Sequence, residues 1–496
     1  MDYIIGVDIG TTSTKAVAFD LNGRLIAKSS IGYPILNPKP SWSEQDPEEI
    51  FRAVLNTIKD VVKKNEGNSL LGVSFSAAMH SLIAVDKNGI PLTKCIIWAD
   101  TRSWEYADMI KNTVGHEIYM STGTPIHPMS PFIKLLWLKE NLSSVFDNAY
   151  KFISIKEYVF YKLFGKYYID YSIASATGLF NIYNMKWNKQ SLDVVGINEE
   201  RLSSPVPATY IVKNLKSEYA YYMNIDSKTP FVIGASDGCL SNLGVNAIKP
   251  GNAAVTIGTS GAIRIMSDKP KCDEKERVFS YVLTENHYVV GGAVNNGGVA
   301  LRWFIDNFAS DKVEMAKKLS IDIYDYVIEK ASEVPAGSLG LLFLPYILGE
   351  RAPYWNANAK GAFFGININH KREHFIRAVL EGIIFGVYNV GKALEETTGK
   401  INTIYATGGF ARSDLWVQIL ADVFNKKVLI ADSPESSSFG AYILALYSLG
   451  IINKMDDALK MVSLTKEYKP SDTNHKVYED MFKVFQGLYE SIKQYF

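Results

Sequence analysis

Asp8 stands at the end of a β-branched run, and Gly10, Thr11, Thr12 and Ser13 follow it at once. A glycine lets the chain turn tightly, and successive amides with the three hydroxyls can surround phosphate oxygens. A carboxylate facing phosphates is repelled unless a cation bridges the two, and Mg²⁺, a hard ion that prefers oxygen, suits that task. Lys15 can also neutralise phosphate charge, although a strand lysine is more often a solvated surface group. Taken alone, the segment reads equally well as an ordinary glycine-threonine turn.

The same shape returns at 253–266, AAVTIGTSGAIRIM, where Val255, Ile257, Gly258 and Thr259 repeat Val7, Ile9, Gly10 and Thr11. The offset of 248 residues is half the chain, which points to two related domains, 1–247 and 248–496, with NAIKPGN at 245–251 breaking the pattern between them. Thr256 replaces the acid in the second copy, so one cation site is expected, at Asp8. Gly258, Thr259 and Ser260 then add phosphate donors from the second domain.

A second carboxylate, Asp237, lies just past a hydrophobic strand in FVIGASDGCLSNLGV (231–245). Strand ends aim loop residues into clefts, and a carboxylate there can take the proton of a hydroxyl as phosphate is transferred to it. An N-cap or Asx-turn aspartate fits the spacing as well. Gly408 and Gly409 leave bare backbone against which a base or ribose can lie, with Ser413 one turn on. GGVALRW (297–303) offers Gly298 and Arg302 in the same way, or simply starts a helix. Met79 and His80 follow a buried strand, where a lone histidine is more often structural. The sequence holds no HExxH, Cys/His cluster, Gx4GK[ST] loop or GxSxG elbow, so zinc hydrolase, P-loop and α/β-hydrolase chemistries fall away.

The elements that must position these residues alternate. Residues 3–30 read as an antiparallel meander with an Asn22-Gly23 turn, and 71–92 as a second hairpin unit closed by Asn88-Gly89. Asp46-Pro47-Glu48-Glu49 opens a helix whose Ile50, Val54, Ile58 and Val61 recur at helical spacing. INTIYAT from 401 is a strand, Ser413 caps the next helix, and the tail after about 470 is a surface helix without site chemistry. The class is α/β.

Composition narrows the partners. Apolar residues make up 47% and charged residues 21%, and 52 basic residues balance 52 acidic ones. No overall field draws the chain to nucleic acid or an anionic membrane. The longest apolar stretch, 340–349, is too short to span a bilayer and contains Pro345. MDYIIGVD lacks the regions of a secretory signal, and Cys95, Cys239 and Cys272 form no CxxC pair, so reduced thiols in a cytoplasmic protein are expected.

Together these motifs resemble the FGGY family of carbohydrate kinases almost end to end. MSPFIKLLWLKEN (129–141) is similar to the family's first signature, GAFFGININHKREHFIRAVLE (361–381) to its second, and LLFLPYILGERAP (341–353) has the family's form. The resemblance implies two duplicated actin-like, ribonuclease H-like ATPase domains with a cleft between them, ATP and Mg²⁺ as cofactors, and a small-molecule sugar or sugar acid as partner, often in a homodimer. It assigns Asp237 as general base and Asp8 as the acid near Mg²⁺. Thr11, Thr12, Thr259, Gly298, Arg302, Gly409 and Ser413 match nucleotide contacts, while Met79 and His80 match substrate contacts. Gly238 stands where glycerol and xylulose kinases usually carry an amide, and Met129 stands where glycerol kinases carry tyrosine. SFSAAMHSLIAVD, WADTRS (98–103) and TGTPIHPMSP (122–131) are most similar to the gluconate-phosphorylating branch, with pentulose kinases such as those for xylulose as the rival. Gluconate carries a carboxylate, for which Arg102, His127 and Lys134 are the candidate partners. A chaperone-type ATPase would need a peptide-binding module after 470, and a silent sugar sensor is at odds with the retention of both Asp8 and Asp237.

Overall fold

The computed structural model describes residues 1–431 and 435–496. It forms two compact units, each built on one sheet. Unit 1 comprises Met1–Ile248, Ser267–Val289 and Glu435–Val462, and unit 2 comprises Lys249–Met266, Val290–Pro434 and Ser463–Phe496. The compact units are therefore not the two contiguous halves 1–247 and 248–496, because two segments of the second half pack with the first.

In unit 1, β1 (Asp2–Ile9), β2 (Ser13–Asp20), β3 (Leu25–Gly32), β4 (Ser69–Ala77), β5 (Ile211–Val212) and β6 (Phe231–Ser236) form one sheet in the order β5-β6-β4-β1-β2-β3. The meander β1-β2-β3 is antiparallel, β4 runs parallel to both β1 and β6, and β5 closes the edge antiparallel to β6. The Asn22-Gly23 turn is made with Gly23 at φ 81°. Helix α1 (Pro47–Lys64) begins where the acidic cluster places it, since the Asp46 side chain accepts from the amides of Glu48 and Glu49. It buries Ile50, Val54, Ile58 and Val61 against β2 and β3. Each such side chain contributes roughly 1.5–3 kcal/mol of hydrophobic stabilisation. Beyond β4 the expected second hairpin is only partly formed. Gly89 turns the chain so that Val85 bridges Pro91, but Ile83–Val85 takes its ladder from Lys151–Ile153 instead.

Unit 2 repeats the plan. In β8-β7-β9-β10-β11, β7 (Asn252–Ile257) is antiparallel to β8 (Gly261–Ser267) and parallel to β9 (Thr403–Thr407). β9 is parallel to β10 (Lys427–Ala431), and β10 is antiparallel to β11 (Leu464–Tyr468). The sequence antiparallel, parallel, parallel, antiparallel matches β2-β1-β4-β6-β5. Both repeated hairpins close alike, with the Gly10 amide donating to Ser13 O at 3.0 Å and the Gly258 amide to Ser260 O at 2.9 Å. The weak internal repeat thus corresponds to a duplicated fold.

What returns 435–462 to unit 1 is backbone proximity. Helix Ser436–Ser448 lies on β1, β4 and the eight-residue helix α2 (Asp237–Gly244). A Cβ at Gly6 would sit 2.1 Å from Ser438 O, one at Gly440 2.0 Å from Leu240 O, and one at Gly244 2.0 Å from Ser436 O. Only glycine permits this approach, and no hydrophobic period in the sequence announces it. The tail helix Asp472–Ile492 buries Tyr478, Phe482, Phe485 and Tyr489 on unit 2. Among the described residues no helix is long and apolar enough to cross a membrane.

Candidate active site

Unit 1 brings its two predicted acids together. Asp8 ends β1 and accepts from Ser76 Oγ at 2.7 Å across the β1–β4 ladder. Asp237 opens α2 directly after β6 and accepts from the amide of Gly238 at 2.6 Å. Burial pushes the Asp8 carboxyl up to about 6, the charge of Asp237 adds to the rise, and Ser76 and Lys15 oppose it. Two mutually repelling carboxyls at the ends of β1 and β6, the strands that flank β4, make a hard oxygen donor set. Among the described residues no group of three or more His, Cys, Asp or Glu forms a metal cage. That suits Mg²⁺, which takes one or two carboxylates and completes its shell with phosphate and water.

Residues without a recognisable motif hold this corner in place. Tyr33 OH donates to Gly10 O at 2.7 Å, Gln45 Nε2 to Thr11 O at 2.6 Å, and Trp98 Nε1 to Thr11 Oγ1 at 2.9 Å. The Tyr33 amide donates to Thr12 O at 3.1 Å. The turn is braced from three sides while the Thr11 hydroxyl keeps its own proton to donate. Below Asp237, Ser172 Oγ receives the Ser236 amide at 3.1 Å, and Lys156 Nζ reaches Ala235 O at 3.1 Å and Asp170 at 2.6 Å. A buried ion pair therefore anchors the strand that delivers the catalytic candidate.

His80, the candidate substrate contact, has φ 69°, a left-handed conformation that costs a non-glycine residue energy and is concentrated at functional sites. Its Nδ1 lies 2.8 Å from Ala176 O, a carbonyl that can only accept, so that nitrogen carries a proton. The His80 ring meets Tyr281 edge-on at 5.9 Å. His127 is the mirror case, since its Nδ1 accepts from the Met129 amide at 3.1 Å and the proton sits on Nε2. Met129 is buried, and Met79 lines a small enclosed void beside Gly10, Thr11 and Trp98.

Two of the three candidate carboxylate partners are spent inside the protein. Lys134 Nζ donates to His80 O, Ile96 O and Ile97 O at 2.6, 3.2 and 2.8 Å, and burial drives its pKa down to about 7. Arg102 pairs with Asp100 and Glu44, both at 2.7 Å, and lies 3.6 Å over the Trp42 ring. Both are scaffolding for the loops around His80.

Unit 2 gathers the nucleotide candidates. Gly258, Thr259, Gly298, Arg302, Gly409 and Ser413 all line one cavity of about 580 Å³, together with Tyr324, Asp325, Arg412 and Trp416. Gly408 stands just behind it at φ 97°, where a Cβ would sit 2.5 Å from Ile257 O. The Gly298 and Val299 amides at the start of α3 (Gly298–Phe308) donate to Gly258 O and Thr259 O at 2.7 and 3.1 Å, which packs the second hairpin onto that helix. Thr256 Oγ1 is buried with no hydrogen-bond partner among the described residues, a donor at the position where unit 1 has its acid. Ser413 caps its helix by accepting from the Trp416 amide at 3.2 Å. Arg302 is largely solvated and 3.5 Å from Asp306. The second signature proves architectural here. Glu381 is buried and accepts from Arg377, Gly337 and Tyr478.

A buried acid of the GERAP segment holds the chain that leads into α3. Glu350 accepts from the amides of Asn295 and Arg351 at 2.6 and 2.8 Å and from Asn296 Nδ2 at 3.2 Å, which fixes the chain entering α3. Burial raises its pKa from 4.5 to about 7 against the opposing pull of these bonds. Between those two values the folded state holds the proton longer than the unfolded chain, so stability falls as pH rises. Glu350→Gln removes this slope. Thermal unfolding from pH 5 to 7 should show wild type losing ground to the variant, by at most about 3 kcal/mol for a fully buried group.

Models of the FGGY family of carbohydrate kinases match both parts of the chain, the N-terminal domain over residues 3–244 and the C-terminal domain over 253–449. A gluconokinase of Bacillus subtilis is 51% identical over 488 residues, covering 98% of this chain and 95% of the relative. Two solved Lactobacillus acidophilus proteins, one described as a gluconate kinase and one as a ligand-bound xylulose kinase, are each 38% identical with a TM-score of 0.94. Each alignment covers 99% of this chain, and 98% of the gluconate kinase and 99% of the xylulose kinase.

Proposed function

The chain belongs to the FGGY family of carbohydrate kinases, and we propose that it transfers the γ-phosphoryl group of ATP to D-gluconate, giving 6-phospho-D-gluconate and ADP. The gathering of six predicted nucleotide residues around one cavity carries the ATP half of this reading. The 51% identity to a gluconokinase over nearly the full length of both chains carries the substrate half. Asp8, with the phosphates, is suited to hold Mg²⁺, which when bound screens the charge of the transferred group.

Asp237 receives the proton of the gluconate primary hydroxyl as its oxygen bonds to phosphorus and the bond to the β,γ-bridging oxygen breaks. Thr11, Thr12 and Ser13 donate to the phosphoryl oxygens. His80 and Met79 contact the sugar, and His127 is the candidate partner of the substrate carboxylate. Three free cysteines support a reducing, cytoplasmic setting.

Xylulose is the second reading, because one of the two equally similar Lactobacillus structures is described as a xylulose kinase. ADP release measured side by side with gluconate, xylulose, ribulose and glycerol decides between them. The expected kcat/KM for gluconate exceeds the others by about 10²-fold or more, since a site built for a carboxylate is left unpaired by a neutral sugar. A preference for xylulose would replace the substrate and leave the kinase reading intact.

A further inference from the structure

Asp8 and Lys15 are direct partners in the β1–β2 ladder. Directly opposed residues of an antiparallel pair project from the same face of the sheet, so the lysine is the cation best placed to reach Asp8. It is held elsewhere. Lys15 Nζ lies 3.0 Å from Glu435 Oε2, Lys28 Nζ lies 3.7 Å from Glu435 Oε1, and the Asp8 carboxylate takes its hydrogen bond from Ser76 instead. Glu435 is the first residue of the segment that returns to unit 1, and its side chain is only 14% exposed.

Stability does not account for this arrangement. An ion pair with a lysine that is 40% exposed contributes little to folding. A third carboxylate near Asp8 and Asp237 is unfavourable, and its charge adds to the rise in the Asp8 pKa. The second hairpin has neither charge, since Thr256 faces Ala262 there. The acid-lysine pair and its Glu435 restraint therefore belong to the copy that carries the cation candidate.

We infer that Glu435 is a positioning residue that holds the Lys15 ammonium off the Asp8 carboxylate, so that Asp8 stays open to a divalent cation. Without the restraint, Lys15 neutralises Asp8 directly and competes with the metal. The inference rests on the kinase reading of this site.

The test is Mn²⁺ binding to the ADP complex, followed by electron paramagnetic resonance, for wild type, Glu435→Gln and the double variant Lys15→Met/Glu435→Gln. Mn²⁺ stands in for Mg²⁺ and reports on the site without turnover. Glu435→Gln should weaken Mn²⁺ about tenfold through the freed ammonium, and the double variant should return to within about twofold of wild type. A purely structural role would leave the double variant at least as impaired as the single one. Wild-type affinity in Glu435→Gln, or no recovery in the double variant, overturns the inference. Failure of wild type itself to bind Mn²⁺ with ADP would instead overturn the kinase reading on which it stands.

Discussion

Asp237→Asn should lower kcat for gluconate phosphorylation by about 10²- to 10⁴-fold, the range for loss of a positioned general base. The amide oxygen can still accept from the Gly238 amide, as the carboxylate does at 2.6 Å. What disappears is the group proposed to take the hydroxyl proton. Nucleotide binding should stay near wild type, because the cavity that holds the nucleotide candidates draws none of its lining from Asp237. The charge effect runs the other way. Asp237 helps to hold the Asp8 carboxyl at about 6, and removing it lets that value fall. A carboxyl raised in the folded state costs stability above its unfolded pKa, so relieving it should make the variant at least as stable as wild type at pH 7. Steady-state kinetics, ADP titration and thermal unfolding read the three effects separately. Near-normal turnover would remove Asp237 from the role of base.

The site was legible where chemistry needs a particular residue type at a strand end. Asp8 and Asp237 stand out as acids after apolar runs, and the structure sets them close enough for the charge of Asp237 to raise the Asp8 carboxyl. The glycines were legible for a steric reason, since Gly298 and Gly408 occupy places where a Cβ would meet backbone oxygen at 2.8 and 2.5 Å. The braces were not. Tyr33, Gln45 and Trp98 act through hydrogen bonds to the first hairpin from outside it, and nothing in their local sequence distinguishes them from other polar or aromatic residues. Arg102 and Lys134 misled for a related reason. A cation near a site in sequence reads as a ligand for an anion, but burial converts it into scaffolding as soon as backbone carbonyls or acids enclose it.

The fold was legible to the level of duplication. The 248-residue echo located two matching hairpins, and the two sheets share their order of parallel and antiparallel neighbours. Period-3.6 patterning found α1 together with its cap. The return of 435–462 to unit 1 was hidden, because it depends on glycine-mediated contact between Ser436–Ser448, β1 and α2 rather than on an amphipathic stripe. Glu435 could be connected to Lys15, 420 residues earlier in the chain, only once that return was seen.

The largest loss of stability is expected from Lys156→Met. Lys156 and Asp170 form an ion pair at 2.6 Å with side chains 2% and 0% exposed. Burial pulls the lysine pKa down while Asp170 holds it up, so the ammonium persists because its partner is there. Asp170 also caps a helix by accepting from the Ile173 amide at 3.0 Å, and Lys156 donates to Ala235 O, two residues before Asp237. Methionine fills similar volume but leaves a buried carboxylate uncompensated, which typically costs 3–5 kcal/mol. Urea unfolding should show a loss of about that size. The double variant Lys156→Met/Asp170→Asn should regain most of it, since an amide can keep the cap without a charge. Because the pair anchors the end of β6, the single variant should also lose kcat beyond what its folded fraction explains, as Asp237 drifts from the hydroxyl it must reach. A single variant as stable as wild type, or a double variant no better than the single, would show that packing rather than the buried pair holds the catalytic strand.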